Sequence, residues 1–199
     1  FLIQIPVFAS ATRVYLRDSN NSTNDSIVIY SSDTFSFNIL TTNINQADSC
    51  NAIGLYLNFD TNQMRVSSIN LNDSIIVSPG NANASFIDSN GINVLFSLNK
   101  STFDNDSGQI NLSMFVKKYS TLESILSNFD VRIATIICSP VVNTGYCTVY
   151  WNTTEPRKTT LSQIGINKIA SYDSMNFNII YKPQPPTIVN YVNNACTNI

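Results

Sequence analysis

The segment Ile53-Gly-Leu-Tyr-Leu-Asn-Phe-Asp60 alternates between large apolar side chains and the residues Gly54, Tyr56 and Asn58. A period of two residues predicts a β-strand with one buried face. The same period recurs at 35–39, 92–98, 110–116 and 131–137. We predict further strands near 13–17, 26–30, 64–69, 74–77, 146–151, 160–166, 175–181 and 187–192. Many short strands divided by Asn, Asp, Ser and Gly are typical of an all-β, antiparallel sandwich.

The composition of the 199-residue chain excludes several classes of function. Charged residues make up only 12%, whereas 28 Asn, 25 Ser and 17 Thr supply the polar surface. No histidine is present, so catalytic triads, imidazole bases and His-containing zinc sites are excluded. The net charge is -2, and no basic cluster exceeds the pair Lys117-Lys118, which argues against a nucleic acid partner. We expect a protein that is not an enzyme, with no cofactor and no bound metal.

The four cysteines have spacings that fit no zinc ligand pattern and indicate disulfides formed in an oxidising compartment. Three pairings are possible. The segment between Cys138 and Cys147 carries Pro and Gly turn residues that can bring its ends together, and a bridge from Cys50 to Cys196 would secure the C-terminus. We therefore predict the pairs 138–147 and 50–196.

Asn-x-Ser/Thr sequons are candidate sites for N-linked glycans. Asn83, Asn99 and Asn105 are the preferred sites, because their surroundings are rich in turn residues. A charge-poor surface with glycans and disulfides is typical of a secreted protein. The candidates are Asn20, Asn21, Asn24, Asn72, Asn83, Asn99, Asn105, Asn111 and Asn152.

The first eleven residues form an apolar tail that ends in Ala9-Ser-Ala11, as signal peptides do. The tail is too short to span a bilayer, which takes about 20 residues. Because the chain begins at Phe1 without a basic stretch, we expect that a leader has been cleaved upstream. We predict an extended tail over 1–11 and a single domain over 12–199. An extended tail presents two sets of side chains: Phe1, Ile3, Ile5 and Val7 on one side, and Leu2, Gln4, Pro6 and Phe8 on the other.

Three other groups of residues have chemical potential. Asp104 and Asp106 have the spacing that opens a calcium loop, but the remaining ligands are missing, so a turn explains them as well. The two glutamates, Glu123 and Glu155, form no recognisable pair for carboxylate catalysis. Trp151 is the single tryptophan. With Tyr146 and Tyr150 nearby it could stack on a sugar, although an aromatic side chain in this position is more often part of the core.

An apolar tail in front of a disulfide-bearing all-β domain resembles the pilins that assemble by donor-strand complementation, in particular the subunit of the archaeal thread filament. The resemblance implies an immunoglobulin-like or pilin-like sandwich that lacks one strand, and residues 1–8 of the next subunit would supply it. Identical subunits would then polymerise head to tail into a glycosylated extracellular filament on the cell surface, for adhesion or biofilm formation. Pro6 and the second disulfide depart from this pattern.

A weaker resemblance leads to an alternative function. The segments Asp33-Thr-Phe-Ser-Phe-Asn-Ile39, Ile53 to Asp60 and Gly108-Gln-Ile-Asn-Leu-Ser-Met-Phe115 are similar to the cohesin-type sandwich. That resemblance implies a secreted module that binds a protein or a carbohydrate as a monomer. Such a module has no use for residues 1–8, so the tail distinguishes the two hypotheses.

Overall fold

The computed structural model describes residues 12–19, 26–42, 50–71, 76–78, 81–84, 96–116, 130–163 and 166–183. All regular elements within these ranges are strands. In chain order they are β1 (Arg13–Asp18), β2 (Ser26–Tyr30), β3 (Phe35–Thr41), β4 (Ala52–Asn58), β5 (Met64–Leu71), β6 (Ile76–Ser78), β7 (Asn81–Ala84), β8 (Phe96–Asp104), β9 (Gln109–Val116), β10 (Val131–Pro140), β11 (Gly145–Trp151), β12 (Thr160–Gln163), β13 (Ile166–Asn167), β14 (Ser171–Asp173) and β15 (Met175–Ile180).

The strands form two packed sheets and a short hairpin. The smaller sheet has the order β14-β1-β3-β10-β5, and β6 pairs with β7 in the hairpin. In the larger sheet β4 is central and pairs with β9, which in turn pairs with the edge strand β8. The opposite side of β4 is shared by β11 and β12. Beyond β11 lie β15 and then β2, while β13 lies beside β12.

The prediction of an all-β sandwich is confirmed, but the pairing is not wholly antiparallel. β1 pairs with β14 in parallel, and β2 pairs with β15 in parallel. Both exceptions involve the same stretch of chain, because β14 joins an edge of the smaller sheet and β15 continues into the larger one. Local alternation of side chains carries no information about such long-range partners, so the sequence could not reveal them.

The core lies between the sheets and is built from the inward side of each alternating strand. In β4, Ile53, Leu55 and Leu57 are fully buried. The Phe177 ring of the larger sheet packs against Phe35 and Phe37 of the smaller one, with centroids 4.9 and 5.7 Å apart. Alternation in sequence therefore becomes one shared apolar layer. The opposite side of β4 and β11 is partly exposed, whereas in β1 and β3 consecutive residues are buried on both sides of the strand.

Several predictions fall on residues outside the described ranges. These include the tail over 1–11, the strand near 187–192 and Cys196. The single-domain assignment over 12–199 remains a prediction for the same reason. Within the described ranges, no helix has the length and apolarity that a membrane crossing requires.

Candidate functional site: the outer side of the larger sheet

The outer side of the larger sheet carries a group of exposed tyrosines on β2 and β11. Because Cys147, Val149 and Trp151 of β11 point into the core, Tyr146 and Tyr150 point outward. In β2 the buried Ile29 places Val28 and Tyr30 outward in the same way. We name these four outward residues the tyrosine face: Val28, Tyr30, Tyr146 and Tyr150.

Strand register brings the members of the tyrosine face together. Asn178 of β15 is the Cα partner of Val28 on one side and of Tyr146 on the other. Since neighbouring strands lie about 4.8 Å apart, Val28 and Tyr146 are separated by about 10 Å. Tyr146 is 57% exposed and Tyr150 is 48% exposed. Exposed or partly exposed polar residues of β11 and β15 lie between these side chains, and Tyr30 and Tyr150 lie in opposite directions along the strands from the Val28–Tyr146 pair.

The tyrosine face is uncharged and partly rigidified. None of the outward residues of β2, β15 and β11 is ionisable at neutral pH. The hydroxyl of Thr148 donates a 2.8 Å hydrogen bond to Asn176 Oδ1, which links β11 to β15 across the centre of the surface. Such a surface offers large contact area and few desolvation penalties to a partner.

A second feature of this side lies around β4 and the connection from β11 to β12. The Arg157 guanidinium donates to Asn111 Oδ1 at 2.6 and 3.2 Å and to Asn58 Oδ1 at 3.3 Å. It also lies 5.5 Å from the centre of the Tyr56 ring. Arg157 therefore ties the connection to β4 and β9, and it fixes the position of the Tyr56 side chain.

Next to Tyr56 there is a cleft of about 280 Å³ that we name the Gly54 cleft. Gly54 forms its floor, since the strand has no side chain there. Polar groups form most of its walls. The lining side chains include Tyr56, Ser113, Glu155, Lys158, Thr160 and Ser162.

Trp151 does not form a sugar-stacking platform. It is only 5% exposed, and its indole N–H donates a 2.9 Å hydrogen bond to the carbonyl of Asp173. Its position on the inward side of β11 is the reason, because Tyr146 and Tyr150 occupy the outward positions. The core interpretation of Trp151 is correct, and the nearby tyrosines are the exposed aromatics.

Asp104 and Asp106 form a turn between β8 and β9. The Asp104 carboxylate accepts hydrogen bonds from the backbone N–H of Asp106 at 2.8 Å and from the Ser107 hydroxyl at 2.7 Å. These bonds, led by the one from Ser107, hold the pKa of Asp104 below its ordinary value. Within the described ranges, no group of three or more His, Cys, Asp or Glu residues is placed to hold a metal.

The predicted bridge between Cys138 and Cys147 is absent from the structure, where both residues are free buried thiols. Cys138 lies on β10 and Cys147 on β11, so the two side chains enter the core from opposite sheets. Burial raises the pKa of Cys147 to about 11 and that of Cys50 to about 12, and it also raises the pKa of Cys138. The pair 50–196 includes a residue outside the described ranges.

The sequons within the described ranges differ in the hydrogen bonds that the side-chain amide of the Asn makes. Asn83 and Asn99 lie in β7 and β8 rather than in turns. Asn105 does lie in a turn, but its side chain donates to the Val66 carbonyl at 2.9 Å and accepts from the Val66 N–H at 2.8 Å. The Asn105 amide is therefore used to pair with β5, and the assignment of glycan sites stays a prediction.

Two further sequons are visible. Asn111 Oδ1 is held by Arg157, and its Nδ2 lies 3.4 Å from the Thr102 hydroxyl. Asn152 follows β11 directly and accepts hydrogen bonds from the backbone N–H and the hydroxyl of Thr154, both at 3.1 Å. Asn20, Asn21, Asn24 and Asn72 lie outside the described ranges.

The Gly54 cleft and the role of Arg157 are not evident from the sequence. One signal was available: a glycine inside a strictly alternating strand has no side chain to pack and often marks a close approach by a ligand or another backbone. The position of Arg157 over Tyr56 depends on the course of the β11–β12 connection, which no local pattern encodes.

Solved structures of cohesin domains share this fold. The sixth cohesin of scaffoldin B from Acetivibrio cellulolyticus, solved with a Cel5 dockerin mutant, is 10% identical, with a TM-score of 0.56 over 86% of this chain and 99% of that one. The OlpC cohesin from Clostridium thermocellum, solved with a dockerin, is 12% identical, with a TM-score of 0.56 over 86% and 94%. The third cohesin of ScaC from Acetivibrio cellulolyticus is 16% identical, with a TM-score of 0.53 over 84% and 99%.

These likenesses confirm the cohesin resemblance at the level of the fold. No protein-family model and no curated protein sequence matches this chain. None of these findings supports the resemblance to the thread-filament subunit. The class that the fold defines is therefore a cohesin-like β-sandwich.

Proposed function

We propose that the chain is a secreted, non-catalytic module that binds a protein partner through the tyrosine face. The observation that carries the proposal is the presence of several large exposed apolar side chains on one side of the larger sheet. Four of them lie on the outer side of β2 and β11. Within the described ranges the exposed large apolar residues are Val28, Tyr30, Phe103, Val141, Tyr146, Tyr150, Ile166 and Tyr181.

The chemistry of the tyrosine face suits a protein partner. Tyrosine buries a large area with few rotatable bonds, and its hydroxyl can pair at the rim of an interface. Protein interfaces are enriched in exposed aromatic residues and also include polar groups between them. Cohesins of the same fold were solved as complexes with dockerins, which supports a binding role for this kind of scaffold.

A non-catalytic role is supported by the composition. The chain has no histidine, and the Cys50, Cys138 and Cys147 thiols are buried with raised pKa values. A thiol in that state is a poor nucleophile at neutral pH, because the thiolate is the reactive form.

The test is affinity capture from the secreted proteins of the source organism, followed by binding measurements with each captured protein in purified form. The double variant Tyr146→Ser, Tyr150→Ser should lower the affinity for a specific partner at least tenfold, since aromatic anchors dominate interface energies. Val141→Ser is the matched control, because Val141 is also 48% exposed but lies in the β10–β11 connection. Equal affinity of the double variant and the wild type would contradict the proposal.

A filament subunit is the second candidate, and an apolar groove favours it. The groove opens between the sheets beside β2, has a volume of about 360 Å³ and is lined by Ile27, Ile29, Phe35, Ile137 and Phe177 among others. β2 has a partner on one side only, β15, within the described ranges. An unpaired edge beside an apolar groove is the arrangement that an added strand requires.

The position of the groove favours a tail from another subunit. Asp18 and Ser19, at the end of β1, line the groove, whereas residues 1–11 precede the start of that strand. The six residues of β1 lie between Thr12 and Ser19, and the seven steps from Thr12 to Ser19 span about 23 Å. The tail would join the domain at the Thr12 end of β1, whereas the groove lies at the Ser19 end. If the tail fills the groove of the next subunit, the result is a head-to-tail polymer.

Electron microscopy of the purified chain tests this candidate. Deletion of residues 1–8, or Ile5→Asp, should abolish filaments, because an unpaired carboxylate in an apolar groove costs several kcal/mol. Gln4→Asp is the milder control, since Gln4 lies on the other side of an extended tail. Absence of filaments from the wild-type chain would eliminate the filament hypothesis and leave the binding module unaffected.

A further inference from the structure

Gly54 has no structural reason to be glycine. Its backbone is not in the left-handed region, since the positive φ of the described glycines belongs to Gly108. A Cβ at this position would meet the Tyr56 ring at 3.5 Å and the Thr160 hydroxyl at 3.6 Å, which are ordinary contacts. Glycine in a strand interior is nevertheless unfavourable, because it loses more conformational entropy and packs nothing. The Tyr56 ring and the Thr160 hydroxyl already lie at contact distance from this position, so the absence of a side chain leaves room for them at the edge of the Gly54 cleft.

Residues with hydroxyl groups flank Gly54 on both neighbouring strands. Ser113 of β9 and Thr160 of β12 are the Cα partners of Gly54 on its two neighbouring strands. Their side chains share the outer side of the sheet with the cleft. Within the described part of the chain, neither hydroxyl is engaged in a side-chain hydrogen bond, so both can donate to and accept from a ligand.

The remaining walls are aromatic and balanced in charge. The Tyr56 ring leans over the Gly54 backbone and is held from the other direction by Arg157. Glu155 and Lys158 contribute one negative and one positive group. A cleft with this lining does not select a charged ligand. Its volume of about 280 Å³ lies at the lower end of the usual range for ligand sites, roughly 300 to 1,000 Å³.

We propose that the Gly54 cleft binds one neutral sugar ring of a glycan. A pyranose presents hydroxyls around its edge and an apolar face of C–H groups. The edge matches Ser113 and Thr160, and the apolar face can pack against the part of the Tyr56 ring that Arg157 and Gly54 leave exposed. This site is separate from the tyrosine face and does not depend on the protein-binding function proposed above.

The proposal is tested by NMR titration of the isotope-labelled chain with neutral sugars: glucose, galactose, mannose, N-acetylglucosamine and their short oligosaccharides. At least one should shift the amide signals of Gly54, Ser113 and Thr160 in a saturable way. A parallel titration with an N-linked glycopeptide distinguishes a glycoprotein source from a free polysaccharide. Sodium acetate and phosphate serve as charged probes.

Two variants at one position complete the experiment. Gly54→Gln should weaken binding at least tenfold by filling the cleft, whereas Gly54→Ala should bind as the wild type does. Thermal unfolding of both variants verifies that they fold. Tyr146→Gln is the control on the same side of the sheet. It should leave sugar binding unchanged, while it lowers the affinity for the protein partner.

Three results would overturn the inference. The first is that no sugar of the panel shifts these signals in the wild-type chain. The second is that Gly54→Gln and the wild type bind with equal affinity. The third is that acetate or phosphate reproduces the shifts at the same concentration, which would show that the cleft selects charge.

Discussion

At the scale of single residues, the glycines of the larger sheet have opposite roles. Gly108 has a φ of +67°, and an added Cβ would collide with the Phe59 carbonyl. We expect Gly108→Ala to lower the free energy of unfolding by about 2 kcal/mol or more, through backbone strain and this clash. Gly54→Ala should instead raise it by about 0.5 to 1 kcal/mol, because alanine restricts the unfolded chain and fits the strand.

Urea denaturation of the two glycine variants provides the measurement. The prediction concerns the sign of each change, so the wild type measured in the same series is the reference. A loss of stability in Gly54→Ala would mean that the packing of Tyr56 or Thr160 requires glycine, and the argument for an open cleft would lose its basis.

The sequons also separate at the scale of residues. Both hydrogen-bonding groups of the Asn105 amide are engaged by Val66, so a glycan attached to Nδ2 would crowd the donor bond to the Val66 carbonyl. Asn152 keeps its Oδ1 bonded to Thr154 and lies in the connection after β11. We expect native protein to carry glycan at Asn152 and to lack it at Asn105. Mass spectrometry of glycopeptides checks this, and occupancy at Asn105 would contradict it.

At the scale of elements, adjacent residues of one strand should differ sharply in how much they contribute to the free energy of unfolding. Leu112 of β9 is fully buried, whereas Ser113 is partly exposed on the outer side. Leu112→Ala should lower the free energy of unfolding by about 2 to 5 kcal/mol through loss of burial and formation of a cavity. Ser113→Ala should change it by about 0.5 kcal/mol or less. Chemical denaturation of both variants makes the comparison, and similar losses would contradict the assigned register of β9.

The strands show what the sequence can and cannot predict. Alternation placed β1, β2, β4 and β9 within a residue or two, because one buried face per strand is a local property. The same pattern could not pair β14 with β1 or divide one side of β4 between β11 and β12. Those pairings depend on contacts between residues far apart in the chain.

The candidate site could not be located from the sequence for a related reason. For Trp151 and the Asp104 turn the sequence favoured a core position and a turn, and each makes the internal hydrogen bond that such a role implies. The Gly54 cleft has no side chain at its centre, and its walls come from three separate segments. The site consists of a position without a side chain on β4 and of hydroxyls on β9 and β12. It can be recognised only when the register between these strands is known.

At the scale of the whole molecule, the buried thiols connect redox state to stability at high pH. In the reduced protein, burial raises the pKa values of Cys50 and Cys147 to about 12 and about 11. Below the ordinary thiol pKa of about 8.5 to 9, both folded and unfolded states keep their protons and stability does not change. Above it, the unfolded state loses protons that the folded state retains, so stability must fall as pH rises.

The size of that fall tests the predicted bridge between Cys138 and Cys147. Each free buried thiol contributes about 1.4 kcal/mol of lost stability per pH unit between its unfolded and folded pKa. A disulfide would remove both thiols from the set of groups that lose protons. Groups other than these thiols are the same in the oxidised and the reduced protein, so a difference between the two would come from the thiols. Because the structure shows Cys138 and Cys147 as free thiols, we expect denaturation at pH 8 and pH 10 to show the same loss of stability with and without reductant. A smaller loss without reductant, with Cys138 and Cys147 protected from alkylation after unfolding, would show that a bridge forms in the native protein.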